Sequence, residues 1–480
     1  MAGQYTGAVV NRPLTTAVWL AALLALSSNG WAYDFEVTAR TEGYGYQLRR
    51  YDGTSISFLN RRRITQYLGL RIFNLLDDGL RPLGRSGRAP ELIYLHALMR
   101  FDTDFGTFMR PQEPVSELQN NQLDLMIGAV EGRNLLRGWL DFSLGRQFDA
   151  ELMDLFAFDG LRLRVNLPGR LFVESHVGVQ TARARPFSAA VLEIDGTSGD
   201  PSSEAISPTF GVAGGVDDLV GLSLRLAYRG TASKAEPGLT EVPGPEDAIW
   251  GVDEELVFFS LSYRLPVVDL RSLFGTRYNL LTGSFDDVQV ALLQRLGRRH
   301  HIEVEYLRSR PHFDGDSIFN LFALEPFNEV AGRYALTLLD SRLELSSRLG
   351  YRRFWIDDTE ADRVEPGAIS ASLGATWRGS RLRATLDGYY LAGLETTTLG
   401  GDLWGRWLTA RWISVEGRLS LVSSDDVSYA DSLLNLGLEL GSTIRLVKGV
   451  KLHLSLEDNI SRLYDSALRL LAVLDLEFAP

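Results

Sequence analysis

Ile369-Ser370-Ala371-Ser372-Leu373-Gly374-Ala375-Thr376-Trp377-Arg378 alternates apolar and polar residues without a break; Gly379-Ser380 follows, and then Leu382, Ala384 and Leu386 alternate with Arg383, Thr385 and Asp387. A period of two places successive side chains on opposite faces of a strand. The stretch therefore predicts a β-hairpin with one apolar face and a two-residue turn of the Gly-X form. The same pattern returns at Leu434, Leu436, Leu438 and Leu440, and at Val450, Leu452, Leu454 and Leu456, each against polar or glycine neighbours. It runs from about Phe35 to the last residues.

Runs near ten residues match the ~9–11 residues of a tilted membrane-spanning strand better than the ~5–6 of a soluble sandwich. The polar face is rich in glycine, serine and charge, as a wet lumen requires, and the apolar face then meets lipid. Connector lengths point the same way. Leu167 to Arg170, Asp340-Ser341 and Gly379-Ser380 are tight, whereas Thr181 to Pro208, Gly230 to Asp253, Pro311 to Asn328 and Asp357 to Gly367 are long and polar. Tight turns on the periplasmic side and long loops outside are the asymmetry of outer-membrane barrels. About 20 to 22 candidate strands can be marked, the least clear around Phe274 to Asp287.

The amino terminus sets the compartment. Arg12 precedes an apolar run from Leu14 to Leu26, and Gly30-Trp31-Ala32 resembles a small-residue cleavage site, so residues 1–32 read as a secretory signal. Residues 33–480 are expected to form the barrel in the outer membrane, with the new amino terminus periplasmic and no plug domain ahead of the first strand. The last strand, with Leu470, Ala472, Leu474, Leu476 and Phe478 on one face, resembles the carboxy-terminal strand read by the barrel-assembly machinery, although Ala479-Pro480 follow.

Composition excludes several functions. Beyond the signal no stretch approaches the ~18 apolar residues of a membrane helix. Cys is absent, which removes disulfides, thiolate metal sites and cysteine nucleophiles. The net charge of −12 argues against nucleic acid. The six histidines, His96, His176, His300, His301, His312 and His453, are outside any G-x-S-x-G elbow, and the adjacent pair lacks a third ligand, so no catalytic group, metal or cofactor is expected. Asp314 and Asp316 about Gly315 are a weak calcium candidate. Acidic loop segments, Asp195 to Glu204, Glu236 to Glu255 and Asp357 to Glu365, are solvated charge that can share divalent cations with lipopolysaccharide.

Parity assigns the lumen. With Leu161, Leu163 and Val165 outward, Arg162 and Arg164 face in; the same reasoning turns Arg225, Arg348, Arg352, Arg383 and Arg418 inward. Two roles stay open: attraction of anions along the pore, or bracing of the wall against carboxylates such as Glu174, Glu344, Asp387, Glu416 and Glu439.

Leu144-Gly145-Arg146-Gln147 and Phe158-Asp159-Gly160-Leu161-Arg162 resemble the Gly-Arg-Gln and Phe-Asp-Gly signatures of alginate-export and exopolysaccharide-secretion barrels. That resemblance implies an antiparallel up-and-down barrel of about 18 strands (range 16–22) and a conduit for anionic polysaccharide, served by a periplasmic export component. Parity from Leu140, Phe142 and Leu144 sends Gln147 inward and Arg146 outward unless a bulge intervenes. The expected function is export of an anionic exopolysaccharide, with a diffusion porin and a structural barrel anchoring a surface assembly as alternatives.

Overall fold

The computed structural model describes residues 35–52, 55–73, 75, 92–104, 107–108, 122–151, 154–181, 207–235, 249–310, 326–355, 367–393, 396–426, 433–461 and 464–478. They form one antiparallel sheet closed on itself. The wall begins with β1 (Phe35–Asp52), β2 (Ser55–Ile72), β3 (Leu92–Asp104, extended by Thr107–Phe108), β4 (Gln122–Asn134), β5 (Leu140–Glu151), β6 (Asp154–Leu167) and β7 (Leu171–Gln180). It continues through β8 (Pro208–Leu219), β9 (Leu222–Ala235), β10 (Ile249–Leu265), β11 (Leu270–Asn279), β12 (Ser284–Leu296), β13 (His300–Ser309) and β14 (Phe327–Leu338). The last eight are β15 (Leu343–Phe354), β16 (Gly367–Arg378), β17 (Leu382–Gly393), β18 (Thr396–Ala410), β19 (Ile413–Asp426), β20 (Leu433–Val447), β21 (Val450–Ser461) and β22 (Tyr464–Phe478). Each strand pairs with the next, and β1 pairs with β22 from Val37 opposite Phe478 to Tyr46 opposite Arg469. Closure leaves no edge of unpaired backbone, which is the condition for a sheet to lie in hydrocarbon. No helix among the described residues is long and apolar enough to cross a membrane.

Reach identifies the concave face. The Arg229 guanidinium on β9 lies 4.2 Å from the ring centroid of Phe156 on β6, with two strands between. Neighbouring strands are ~4.8 Å apart, so such a contact forms only where the sheet curls toward the side chains. The opposite face is apolar and bare: Leu373 is 70% exposed, Leu440 67% and Leu349 64%. A soluble fold would bury such a surface, and a closed sheet with no covering layer among the described residues matches it to lipid.

The resemblance set the strand number too low. Twenty-two strands make the wall, because the stretch around Phe274 to Asp287 is the β11–β12 hairpin, paired from Leu270 opposite Gln294 to Asn279 opposite Ser284. Its alternation is obscured by a register shift between Arg277 and Tyr278. Two turn expectations also change. Gly379 N–H donates to the Leu382 carbonyl at 2.7 Å, so Ser380 and Arg381 occupy the corner one residue later than expected. Short connectors are not confined to one side, since residues 280–283 link β11 and β12 at the long-loop end. The signal segment, His312, the Asp314-Gly315-Asp316 candidate, and the acidic segments 195–204 and 357–365 lie outside the described residues.

Candidate functional site: the inner wall

All the arginines that parity turns inward stand on the concave face, and most of them face a carboxylate. Glu174 on β7 is a hub: Arg225 lies 3.0 Å away, Arg162 3.8 Å and Arg164 4.0 Å. Arg162 also reaches Asp149 at 3.0 Å, and Arg164 pairs with Asp217 while its guanidinium covers the Phe172 ring at 4.0 Å. Further round, Glu329 takes both Arg348 and Arg352, the latter at 2.6 Å. Arg418 pairs with Asp402 at 3.0 Å. These pairs brace a curved wall: the Glu174 group balances three arginines with three carboxylates, while Glu329 holds two guanidinium groups with one.

The β6–β10 sector is packed like a small core. Phe156 and Phe158 are 1% and 0% exposed, and Leu256, Phe258, Ala213 and Ala227 form a buried cluster on the same inner face. Arg229 sits between Phe156 and Phe258 with Glu254 at 3.1 Å, and the His176 ring lies tilted against Phe158 with centroids 4.9 Å apart. A recess of about 300 Å³ opens beside it, lined by Arg164, Phe172, Asp217, Arg225, Ser260 and Gln289 among others. Glycine permits the bend: a Cβ on Gly160 would collide with the Val177 carbonyl, and one on Gly178 with the Asp159 carbonyl.

The Gly-Arg-Gln and Phe-Asp-Gly residues form a clamp across β5 and β6. Arg146 and Asp159 are register partners on the outer face, joined at 2.7 Å (Nε to Oδ1) and 2.6 Å (Nη2 to Oδ2). Arg146 Nη1 also donates to the Leu125 carbonyl at 2.7 Å, beside a register shift in the β3–β4 pairing. On the inner face Gln147 donates to the Gly160 carbonyl at 3.0 Å, lying over the paired Gly145 and Gly160. Gly145 has φ +123°, and a Cβ there would strike the Gly128 carbonyl. Arg146 thus does not line the conduit: its side chain keeps the outward parity of Leu144, and its bidentate pairing satisfies a charge that lipid would not.

One inner sector differs. Arg378, Arg383 and Arg406 are direct neighbours on β16, β17 and β18. Arg378 pairs with Glu344 at 2.7 Å. Arg383 and Arg406 are exposed and, among the described residues, have no carboxylate partner; Arg406 bonds only the Ser414 hydroxyl, at 3.0 Å, and Arg383 lies 5.8 Å from the Trp404 ring. Like charges set directly opposite destabilise a sheet; Glu416, the register partner of Arg406 on β19, is the acid at the edge of this row and lies 3.4 Å from His453. Sequence reading found Arg383 and missed Arg406 and Trp404, whose parity was available from Leu403 and Leu399. It also missed Arg63 and Arg100, which share the fully buried Asp102 at 2.8 and 3.1 Å, and Arg277 with Asp287 at 2.7 Å.

No family model matches the chain, and no curated protein does. Among solved structures, Acinetobacter baumannii OccAB4 is similar at 9% identity and TM-score 0.42, over 95% of this chain and 100% of that one. The P pilus usher PapC translocation pore is similar at 8% identity and TM-score 0.49, over 92% and 99%. Pseudomonas aeruginosa OccK7 is similar at 10% identity and TM-score 0.43, over 93% and 99%. Likenesses at this level fix neither a family nor a solute.

Proposed function

We propose that the chain is a passive channel of the outer membrane, a diffusion porin for hydrophilic solutes with a preference for anions. The observation that carries this is the pair Arg383 and Arg406, side by side on the inner wall, exposed and without a carboxylate partner among the described residues. Fixed charge on a low-dielectric wall raises the local concentration of counter-ions, and it does so only where it is not already neutralised. The arginines around Glu174 are balanced by Glu174, Asp149 and Asp217 and hold the wall, whereas Arg348 and Arg352 share one carboxylate, Glu329.

The test is the reversal potential of single channels in a salt gradient. The wild type should prefer anions, and Arg383→Gln with Arg406→Gln should bring the ratio close to one, while Arg418→Gln with Asp402→Asn, which removes a one-to-one pair without changing net charge, should change it little. Cation preference in the wild type, or a double variant indistinguishable from it, overturns the reading.

Export of an anionic exopolysaccharide is the second reading, favoured by Trp404 beside Arg383, since an aromatic face next to a guanidinium suits an acidic sugar. Export predicts that loss of the gene lowers surface polysaccharide and leaves small-solute uptake unchanged. A diffusion porin predicts the reverse.

A further inference from the structure

Five consecutive turns at the short-turn end each carry basic residues: Arg298 and Arg299 between β12 and β13, Arg342 between β14 and β15, Arg381 between β16 and β17, Arg411 between β18 and β19, and Lys448 between β20 and β21. All six side chains are exposed. None has a carboxylate partner among the described residues, and Asp340 is the one acid in these turns. Two other turns at this end are built otherwise, with Arg170 bonded to Asp218 at 2.9 Å and Arg264 facing Asp269 at 4.0 Å. The chain as a whole is acidic, at −12, so an unpaired basic arc is not a consequence of composition.

The same arc carries aromatics on its lipid side. Trp377 and Trp407 lie on the outer face of β16 and β18 near their ends, and Trp412 is in the turn after Arg411. They are 36%, 56% and 56% exposed. Indole rings settle at the headgroup level of a bilayer, with the ring in apolar surroundings and the N–H toward water. Cations one or two residues beyond that level, on flexible stems, sit where lipid phosphates lie.

We infer that this arc is a binding surface for anionic glycerophospholipid, with guanidinium and ammonium groups on the phosphates and Trp377, Trp407 and Trp412 along the upper acyl chains. A guanidinium fork bonds a phosphate through two N–H donors, and several around one rim favour a lipid with net charge over a zwitterion. An acidic protein partner would not need outward tryptophans at the same level. The inference is independent of what passes through the lumen.

Native mass spectrometry of the full barrel, released from nanodiscs of equal parts phosphatidylglycerol and phosphatidylethanolamine, tests it. The wild type should keep phosphatidylglycerol several-fold over phosphatidylethanolamine. Arg342→Gln with Arg381→Gln, Arg411→Gln and Lys448→Gln should bring retention toward parity, while Arg170→Gln with Arg264→Gln should leave the preference intact. Gel mobility of unboiled protein reports whether each variant is a folded barrel, and Arg411→Gln with Lys448→Gln is the milder variant if the fourfold one is not. Equal retention of the two lipids by the wild type, an unchanged preference in the folded arc variants, or preferential retention of lipid A when it is added to the mixture would each overturn the assignment.

Discussion

Arg146 and Asp159 show what a single pair does on a lipid-facing wall. An arginine alone near the midplane of a barrel costs about 2–4 kcal/mol, and an unpaired acid costs less. Asp159→Ala should therefore destabilise the barrel by about that amount, because it strands Arg146. Arg146→Ala should cost less, and Arg146→Leu with Asp159→Leu should return close to wild type. Urea unfolding in lipid vesicles measures the series. A larger loss for Arg146→Ala than for Asp159→Ala would mean that the pair is not in lipid. Residue positions of this kind were legible: the alternation Leu140, Phe142, Leu144 already sends Arg146 outward. Its partner was not, since register between strands depends on bulges such as the one that shifts Leu98 and Met99 against β4.

At the level of elements, strict alternation marked β16, β17, β20 and β21 at once, and failed where function of the wall departs from it. The inner face of β6 reads Phe156, Phe158, Gly160, so both faces look apolar there. The packed corner with Arg229, His176 and Phe258 explains this, and nothing in a single strand reveals it. The bend of this corner depends on backbones that touch at Gly160 and Gly178. Gly160→Val should prevent folding of the barrel, read as loss of the fast-migrating unboiled form, whereas Gly251→Val, with open space at its Cβ position, should fold. A folded Gly160→Val barrel would contradict the close approach of β6 and β7.

For the whole molecule, the barrel was legible in the sequence and its strand number only in part: alternation marked about 20 to 22 strands, a family-like motif covering few residues argued for about 18, and the wall has 22 among the described residues. The seam gives a direct check. Ala39 on β1 is opposite Leu476 on β22, so Ala39→Cys with Leu476→Cys should cross-link on oxidation, while Ala39→Cys with Leu434→Cys should not. The absence of native cysteine makes such variants clean.

The same absence allows the central claim, an aqueous inner wall and a lipid outer wall on alternate residues, to be tested at two adjacent positions of β16. Ser372 faces inward and Leu373, 70% exposed, faces outward. Single variants Ser372→Cys and Leu373→Cys, reconstituted in lipid vesicles, would be exposed to a charged, membrane-impermeant maleimide. The account predicts rapid labelling of Ser372→Cys and protection of Leu373→Cys until detergent is added. Labelling of Leu373→Cys with protection of Ser372→Cys would invert the faces and contradict it.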